Sequence, residues 1–295
     1  MTGLTQIIIP NPMQDKDSNK TYCIIGDPIQ HSLSPTMQNA AFNKLGLNSS
    51  YIAFRVRKGE LKESIESLRA MGVSGFNITV PHKVEAINYV DELDVGVRKA
   101  NAVNTVHNVR GVLKAYNTDI YGFIHPLHLR KISFNGMKVL LIGAGGAARA
   151  VLAALADEDG ISEVKIANRS EGNARLLLDI FVPHGLNCKI ITWEEIPTFS
   201  KTAELIVNAT TIGMNSEPSL VDFQNINKHA IVYDIVYTPV HTALLDNAKQ
   251  AGAQAIYGYE MLLYQGAKSF EIWTGMPAPI DGMKKALLGT AGEVF

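Results

Sequence analysis

Two residues in the first half of the sequence, Lys83 and Asp119, could exchange a proton with a substrate. Lys83 follows the apolar run 75–80, where a strand is expected to end, and Asp119 follows the apolar run 112–116. A lysine and an aspartate at the mouth of one cleft can share a proton, and each stabilises the charged form of the other. Taken singly, each has an ordinary alternative, because a lysine after a strand is usually solvated and Asn-Thr-Asp often caps a helix. On composition alone His82 is the stronger candidate for a general base, since histidine side chains titrate near neutrality.

A glycine-rich turn offers a second site, suited to a phosphate. Gly143, Gly145 and Ala148 match the pattern G-x-G-x-x-G/A, after the apolar run 138–142 and at the start of an alanine-rich helix. In that context the glycines let the backbone approach a pyrophosphate, and the helix N-terminus supplies amide donors. The alternative is an ordinary turn without a ligand, but a dinucleotide is favoured.

The choice of cofactor is read at the end of the next strand. An NAD site places an acidic residue there, whereas this sequence has Asn168, Arg169 and Ser170. A guanidinium beside a hydroxyl suits a 2′-phosphate, which favours NADP. The alternatives are a solvated Arg169 and an influence of the nearby Glu171.

Ser32 and Ser34 lie before a predicted helix, in the segment 31–35. Two hydroxyls flanking one residue at a helix N-terminus can donate to a carboxylate. The alternative, which is compatible with the first, is that Ser34 caps the helix in front of Pro35.

These residues require an α/β scaffold, and short apolar runs alternating with helical patterns predict one. Predicted strands cover 22–25, 51–56, 75–80, 138–142, 164–167, 205–208, 231–235 and 254–257, with a hairpin of 103–106 and 112–116. Predicted helices cover 35–45, 61–71, a stretch from the glycine turn to about Asp157, and 261–273.

Composition limits the class of protein. At 295 residues, with 46% hydrophobic and 19% charged residues, the chain is expected to form two domains. A net charge of -1 gives no field for nucleic acid or an anionic membrane, so a small-molecule partner is favoured. Cys23 and Cys188 are far apart without metal-type spacing, which predicts reduced thiols and no metal. We also expect a cytoplasmic protein, since no apolar stretch reaches about 18 residues and the start lacks a secretory signal.

From about Tyr22 to the C-terminus, the sequence resembles the shikimate dehydrogenase family. The order of the matching segments along the chain is more specific than any one of them. They are 26–28, 31–35, 75–83, 102–105, 117–119, the glycine turn, 168–170, 208–214, 258–261 and 264–267.

The resemblance implies a fold, an activity and a place in metabolism. Residues 1–120 and 261–295 would form an α/β substrate domain, and 121–260 a Rossmann-type doubly wound NADP-binding domain, with a C-terminal helix returning to the first domain. The activity implied is the reversible NADPH-dependent reduction of 3-dehydroshikimate to shikimate, on the route to chorismate and the aromatic amino acids.

The resemblance also implies roles for individual residues. Lys83 and Asp119 would be the catalytic pair, with His82 only a neighbour. The substrate carboxylate would be held by Ser32 and Ser34 and approached by Tyr237, and the ring hydroxyls would be bound by Thr79, Asn104 and Gln265. The implied cofactor-binding residues are Gly143, Ala144, Gly145, Gly146, Ala147, Asn168, Arg169, Ser170, Thr210, Gly213, Met214, Ile235 and Gly258.

Two other functions fit the same segments. One is a quinate/shikimate dehydrogenase that uses NAD, and Asn173, where the family often has a basic residue, leaves that reading open. Relatives that prefer quinate often carry threonine at the position of Ser34, so Ser34 and Arg169 together favour shikimate and NADP. The other is a non-catalytic sensor, which should have lost the pair of Lys83 and Asp119. A homodimer and a monomer are both compatible with the sequence.

Overall fold

The computed structural model describes residues 19–290 and contains two six-stranded β-sheets. Residues 1–18, where the sequence predicts no secretory signal, and residues 291–295 lie outside this range. The first sheet and its helices comprise β1 (Lys20–Gly26), α1 (Ser34–Lys44), β2 (Ser49–Arg55), α2 (Leu61–Ala70), β3 (Gly75–Ile78), β4 (Glu92–Leu93), α3 (Val95–Ala100), β5 (Thr105–Val109) and β6 (Val112–Tyr116).

The first sheet has the strand order β2-β1-β3-β5-β6-β4. Strands β1, β2 and β3 are parallel, whereas β5 runs antiparallel to both β3 and β6. Because alternate residues of a strand point to opposite faces, β1 supplies two cores. Cys23 and Ile25 pack in the core with α2, and Tyr22 and Ile24 pack in the core with α1.

The second sheet is entirely parallel. Its elements are α4 (Asp119–Leu129), β7 (Met137–Ile142), α5 (Gly146–Leu155), β8 (Ile161–Ala167), α6 (Glu171–Phe181), β9 (Cys188–Ile191), α7 (Ile196–Ser200), β10 (Leu205–Asn208), β11 (Ile231–Asp234), α8 (Ala243–Ala251) and β12 (Gln254–Ile256). The order β12-β11-β10-β7-β8-β9 places β7 between β8 and β10, so the connections run in opposite directions from β7. This is the doubly wound dinucleotide-binding order, and ligands bind at its switch point. The predicted Rossmann-type domain is confirmed.

The C-terminal helices return to the first sheet, as predicted. Helix α9 (Gly258–Thr274) is followed by α10 (Ile280–Thr290). Phe270 and Trp273 of α9 pack against Phe42 and Tyr22, with ring centroids 5.5 Å and 5.0 Å apart respectively. Trp273 also lies directly over Gly75 and donates from its indole nitrogen to the carbonyl of Val106 at 2.9 Å.

Helices α4 and α9 connect the two halves and pack closely together. A methyl group added at Gly122 of α4 would lie 2.7 Å from Cβ of Gln265 on α9, so only glycine permits this approach. Arg130 and Glu260 form a two-pronged ion pair across the same helices, with both N–O distances 2.9 Å.

Several elements differ from the sequence-based prediction. Strand β5 begins at Thr105 rather than at Val103, because Val103 donates its N–H to the carbonyl of Lys83 at 2.7 Å instead of joining a ladder. Helix α9 begins at Gly258, three residues earlier than predicted. The short elements β4, β9 and α3 and the helices α4, α6, α7, α8 and α10 were not predicted. Within residues 19–290, no helix is long and apolar enough to cross a membrane.

Candidate active site

The loop after β3 carries Lys83, and backbone hydrogen bonds fix its course. The N–H of Thr79 donates to Ile25 of β1 at 2.9 Å, and the N–H of His82 donates to Thr79 at 3.0 Å. The carbonyl of Lys83 accepts from Val103. Lys83 is therefore held between the end of β1 and the segment that precedes β5.

His82 is buried completely and serves as an anchor for this loop. Its Nε2 lies 2.7 Å from the carbonyl oxygen of Val56, so Nε2 carries the hydrogen and donates it. Its Nδ1 is buried and has no hydrogen-bond partner within residues 19–290. A ring enclosed in this way has no open path to a substrate proton, which argues against His82 as the general base.

Lys83 and Asp119 form an ion pair at the cleft. Nζ of Lys83 donates to Oδ2 of Asp119 at 2.6 Å, and their side chains are 15% and 6% exposed. Asp119 is the first residue of α4, where the helix dipole favours a negative charge. It is not a helix cap, since the preceding Thr118 occupies the cap position without a side-chain bond. A charge-assisted hydrogen bond of this length keeps both groups in a defined geometry.

Asn104 joins this pair to the C-terminal helix. Its Nδ2 group faces Oδ1 of Asp119 at 2.9 Å, the hydroxyl of Thr118 at 2.8 Å and Oε1 of Gln265 at 3.3 Å. Its Oδ1 accepts from the N–H of Thr118 at 2.6 Å. The amide of Asn104 is thereby fixed, and four of the residues predicted from the resemblance (Lys83, Asp119, Asn104 and Gln265) lie together.

A buried layer of polar side chains supports Asn104 from below. Ser269 lies 2.8 Å from the hydroxyl of Thr105 and 3.1 Å from that of Thr118. Nδ2 of Asn77 donates to Thr105 at 2.9 Å and to Ser269 at 3.1 Å. Sequence reasoning missed this layer, although Ser269 comes one helical turn after Gln265 and therefore shares its face.

Ser32, Ser34 and Tyr237 form a second group across the cleft. Oγ of Ser32 accepts from the N–H of Ser34 at 3.3 Å. Ser34 does not cap α1, because Leu33 occupies the cap position without a side-chain bond. Tyr237 comes from the loop after β11, and burial raises the pKa of its phenol although the nearby Ser32 hydroxyl lowers it. The phenol is therefore neutral and able to donate near pH 7. Thr79 is half-buried, and within residues 19–290 its side chain hydrogen-bonds neither group.

The glycine turn is shaped for an anionic group. Gly143 has φ +114°, and a methyl group there would lie 2.8 Å from the carbonyl oxygen of Ala209. Gly145 occupies the cap position of α5 without a side-chain bond, and a methyl group there would meet no atom within 4 Å. The first turn of α5 has no acidic residue, and Ala144 and Ala147 are half-buried. A helix N-terminus without a side-chain cap or an acidic residue, with an open approach, fits a pyrophosphate.

Gly146 brings the same turn against the ion pair of Lys83 and Asp119. A methyl group at Gly146 would lie 3.1 Å from Cδ and 3.2 Å from Cβ of Lys83. The cofactor turn and Lys83 are therefore in contact through a position that only glycine fills without displacement.

The loops after β10 and β11 are tied by a buried carboxylate, which sequence reasoning also missed. Asp234 accepts from Asn208 at 2.9 Å and from the hydroxyl of Thr242 at 2.6 Å. Asn208 in turn accepts from the hydroxyl of Thr210 at 2.7 Å. Burial raises the pKa of Asp234, and these hydrogen bonds oppose the shift. Asp234 thus positions the loop that contains Thr210 and Gly213.

The remaining predicted cofactor residues surround this loop. Ile235 donates its N–H to the carbonyl of Asn208 at 3.0 Å, and Met214 is exposed. Gly258 opens α9 directly over the carbonyl of Val236, where a side chain would clash.

The segment after β8 presents Arg169 to solvent. Asn168 donates to the carbonyl of Ser170 at 2.8 Å, and both Arg169 and Ser170 are exposed. Glu171 pairs with Arg175 at 2.7 Å rather than with Arg169. Within the described range, Arg169 forms no ion pair and is available to a phosphate.

Family models match three parts of the chain. The model of the shikimate dehydrogenase substrate binding domain matches residues 24–106. The shikimate / quinate 5-dehydrogenase model matches residues 127–235, and the shikimate 5'-dehydrogenase C-terminal domain model matches residues 258–288.

Individual relatives match almost the whole chain. The shikimate dehydrogenase (NADP(+)) of Nitrosopumilus maritimus is 48% identical over 270 residues, which cover 92% of this chain and 98% of the relative. The Thermus thermophilus shikimate 5-dehydrogenase, solved with NADP(H) and shikimate, is 34% identical with a TM-score of 0.81, covering 92% of this chain and 99% of that one. The quinate dehydrogenase of Corynebacterium glutamicum, solved with NAD, is 27% identical with a TM-score of 0.84, covering 92% and 100%.

Gly146→Ala should weaken the hydrogen bond between Lys83 and Asp119. The added methyl group would lie 3.1 Å from the Lys83 side chain, which would have to shift by a few tenths of an ångström, so the Nζ–Oδ2 distance should lengthen from 2.6 Å by roughly that amount. A crystal structure of the variant measures this distance. Gly145→Ala is the matched control, because its methyl group meets nothing and should leave the pair in place. An unchanged ion pair in Gly146→Ala would refute the steric coupling.

Proposed function

This chain belongs to the shikimate dehydrogenase family, and we propose that it interconverts 3-dehydroshikimate and shikimate with Lys83 and Asp119 as its catalytic residues. It is an oxidoreductase, and NADP is its cofactor. The observation that carries the assignment of residues is the ion pair of 2.6 Å, because it puts a transferable proton at the cleft between the substrate sheet and the cofactor turn.

The residues of the second sheet suit a dinucleotide. The open amides of the glycine turn would hold the pyrophosphate, and the free guanidinium of Arg169 would pair with the 2′-phosphate. The loop held by Asp234 would line the nicotinamide end through Thr210 and Gly213. When bound, NADPH supplies the hydride for the reaction.

The substrate would lie across the cleft with its polar groups divided between two clusters. Hydroxyls of Ser32, Ser34 and the neutral phenol of Tyr237 can all donate to the carboxylate. Asn104, Gln265 and Thr79 would receive the ring hydroxyls. Since Tyr237 lies in the loop after β11 of the second sheet, substrate would contact both halves of the protein.

Lys83 would move the proton of the reaction. As the substrate carbonyl is reduced, its oxygen would need a proton, and the ammonium of Lys83 would give it one. The resulting neutral amine then takes a proton from solvent. Asp119 stabilises the ammonium and orients it, which matches the role of a carboxylate beside a general acid. Oxidation of shikimate would follow the same path in reverse.

A quinate dehydrogenase using NAD is the second candidate, since such an enzyme shares this fold. Ser34 and the unpaired Arg169 support shikimate and NADP over it. A non-catalytic sensor is disfavoured, because the ion pair, the supporting polar layer and the glycine turn are all intact.

Three further predictions accompany this function. The domain boundaries proposed at residues 120 and 260 fall in the first turns of α4 and α9, the two connecting helices. A cytoplasmic location and a homodimer stay predictions.

A panel of substrates and cofactors tests the function. Initial rates of the purified enzyme with shikimate or quinate, each with NADP⁺ or NAD⁺, give four values of kcat/KM. The value for shikimate with NADP⁺ should be the highest, because Ser34 and Arg169 suit that combination. Higher values for quinate with NAD⁺ would make the second candidate the function.

Lys83→Met should lower kcat about a hundredfold or more while changing KM much less, because proton transfer belongs to the transition state. Steady-state kinetics in both directions measure this. Lys114→Met, which removes a lysine paired with Glu92 on the surface of β6, is the control and should retain wild-type kcat. Near-normal turnover in Lys83→Met would remove Lys83 from the mechanism.

A further inference from the structure

Arg149 is a buried cation in the first half of α5. It is only 8% exposed, and its Nη1 is buried with no hydrogen bond. Within residues 19–290 its guanidinium forms no ion pair, and burial lowers its pKa. None of the roles proposed above involves Arg149.

The orientation of α5 directs Arg149 towards the glycine turn. Helical side chains lean towards the N-terminus of their own helix, so that of Arg149 covers the turn that begins at Gly146. Arg149 also lies three residues after Gly146 and shares its face, the face that contacts Lys83. A guanidinium that follows this lean would lie on the side of the helix that borders the cleft.

An unpaired guanidinium is costly in this position. Burying a charge without a partner is strongly unfavourable, and buried polar groups in native proteins almost always have one. Within residues 19–290 no carboxylate pairs with Arg149, so an anion from outside can be the missing partner. The N-terminus of α5, with four unpaired amides and no acidic side chain, attracts an anion to the same place.

We propose that Arg149 is a ligand of the pyrophosphate of the bound dinucleotide, completing the site formed by the glycine turn. The proposal rests on the proposed function for the identity of the anion. The pyrophosphate is common to NADPH and NADH, whereas the 2′-phosphate near Arg169 is present only in NADPH. Arg149 therefore contributes to affinity for both cofactors, and Arg169 contributes to the choice between them.

Equilibrium binding to Arg149→Met tests the proposal, with Arg169→Ala as the matched control. The probes are NADPH, NADH, shikimate and 2′-AMP, which carries the 2′-phosphate but no pyrophosphate. Arg149→Met should weaken NADPH and NADH by the same factor, about tenfold to a hundredfold, which corresponds to one charge-assisted hydrogen bond or two. Its affinity for shikimate and 2′-AMP should not change. Arg169→Ala should weaken NADPH and 2′-AMP and spare NADH.

Thermal unfolding without cofactor separates a ligand from a structural residue. Removing an unpaired buried charge should leave the Tm of Arg149→Met equal to or above that of the wild type, while its gain in Tm on adding NADPH shrinks. Arg149→Lys, which retains the charge, should recover part of the affinity.

Four results would overturn the proposal. They are unchanged Kd values for both cofactors in Arg149→Met, weakened shikimate binding with unchanged cofactor binding, a loss confined to NADPH, and a variant that unfolds or loses Tm without cofactor. A wild-type protein that binds neither cofactor would instead contradict the proposed function.

Discussion

The Asp119 carboxylate is buried beside Lys83, and both of its oxygens therefore need hydrogen-bond partners. The rest of the structure is arranged to supply them. A buried ion pair is stable only when its remaining hydrogen-bonding capacity is filled, because desolvation offsets most of the attraction. Lys83 donates a hydrogen bond to one oxygen of Asp119, and Asn104 donates one to the other. Asn104 in turn is fixed by Thr118 and by the buried hydroxyls beneath it, so the pair is supported by a layer of neutral donors and acceptors rather than by further charges.

Close packing of α9 makes this arrangement possible. Gly122 lets α4 approach α9, and Gly266 lets α9 approach α1. Gln38 of α1 donates to the carbonyl of Gly266 at 2.8 Å. Gln265 is thereby carried from the end of the chain to Asn104, which lies 161 positions earlier. On the opposite side, Gly146 lets the cofactor turn touch Lys83. The glycine turn, the ion pair and Gln265 meet because glycines lie at each of these contacts.

Local patterns predicted the parts of the fold whose signals are local. The strand–glycine turn–helix at 138–148 was readable in one stretch of sequence, and so were the central strands. Asp119 and Lys83 have no distinctive local pattern, because their contact joins the end of one strand to the start of a distant helix. Only the family resemblance identified them. Asp234 and Arg149 were missed for the same reason. A buried aspartate after a strand and an arginine in a helix carry no local signal of the neighbours that they have or lack.

The most direct test of the central claim is a double-mutant cycle on kcat, with Lys83→Met, Asp119→Asn and the combined variant. Residues that act as one proton-transfer unit lose most of their joint effect when either is removed. The combined variant should therefore be about as slow as the slower single variant. Losses in kcat that multiply would show that Lys83 and Asp119 act independently and would contradict the mechanism.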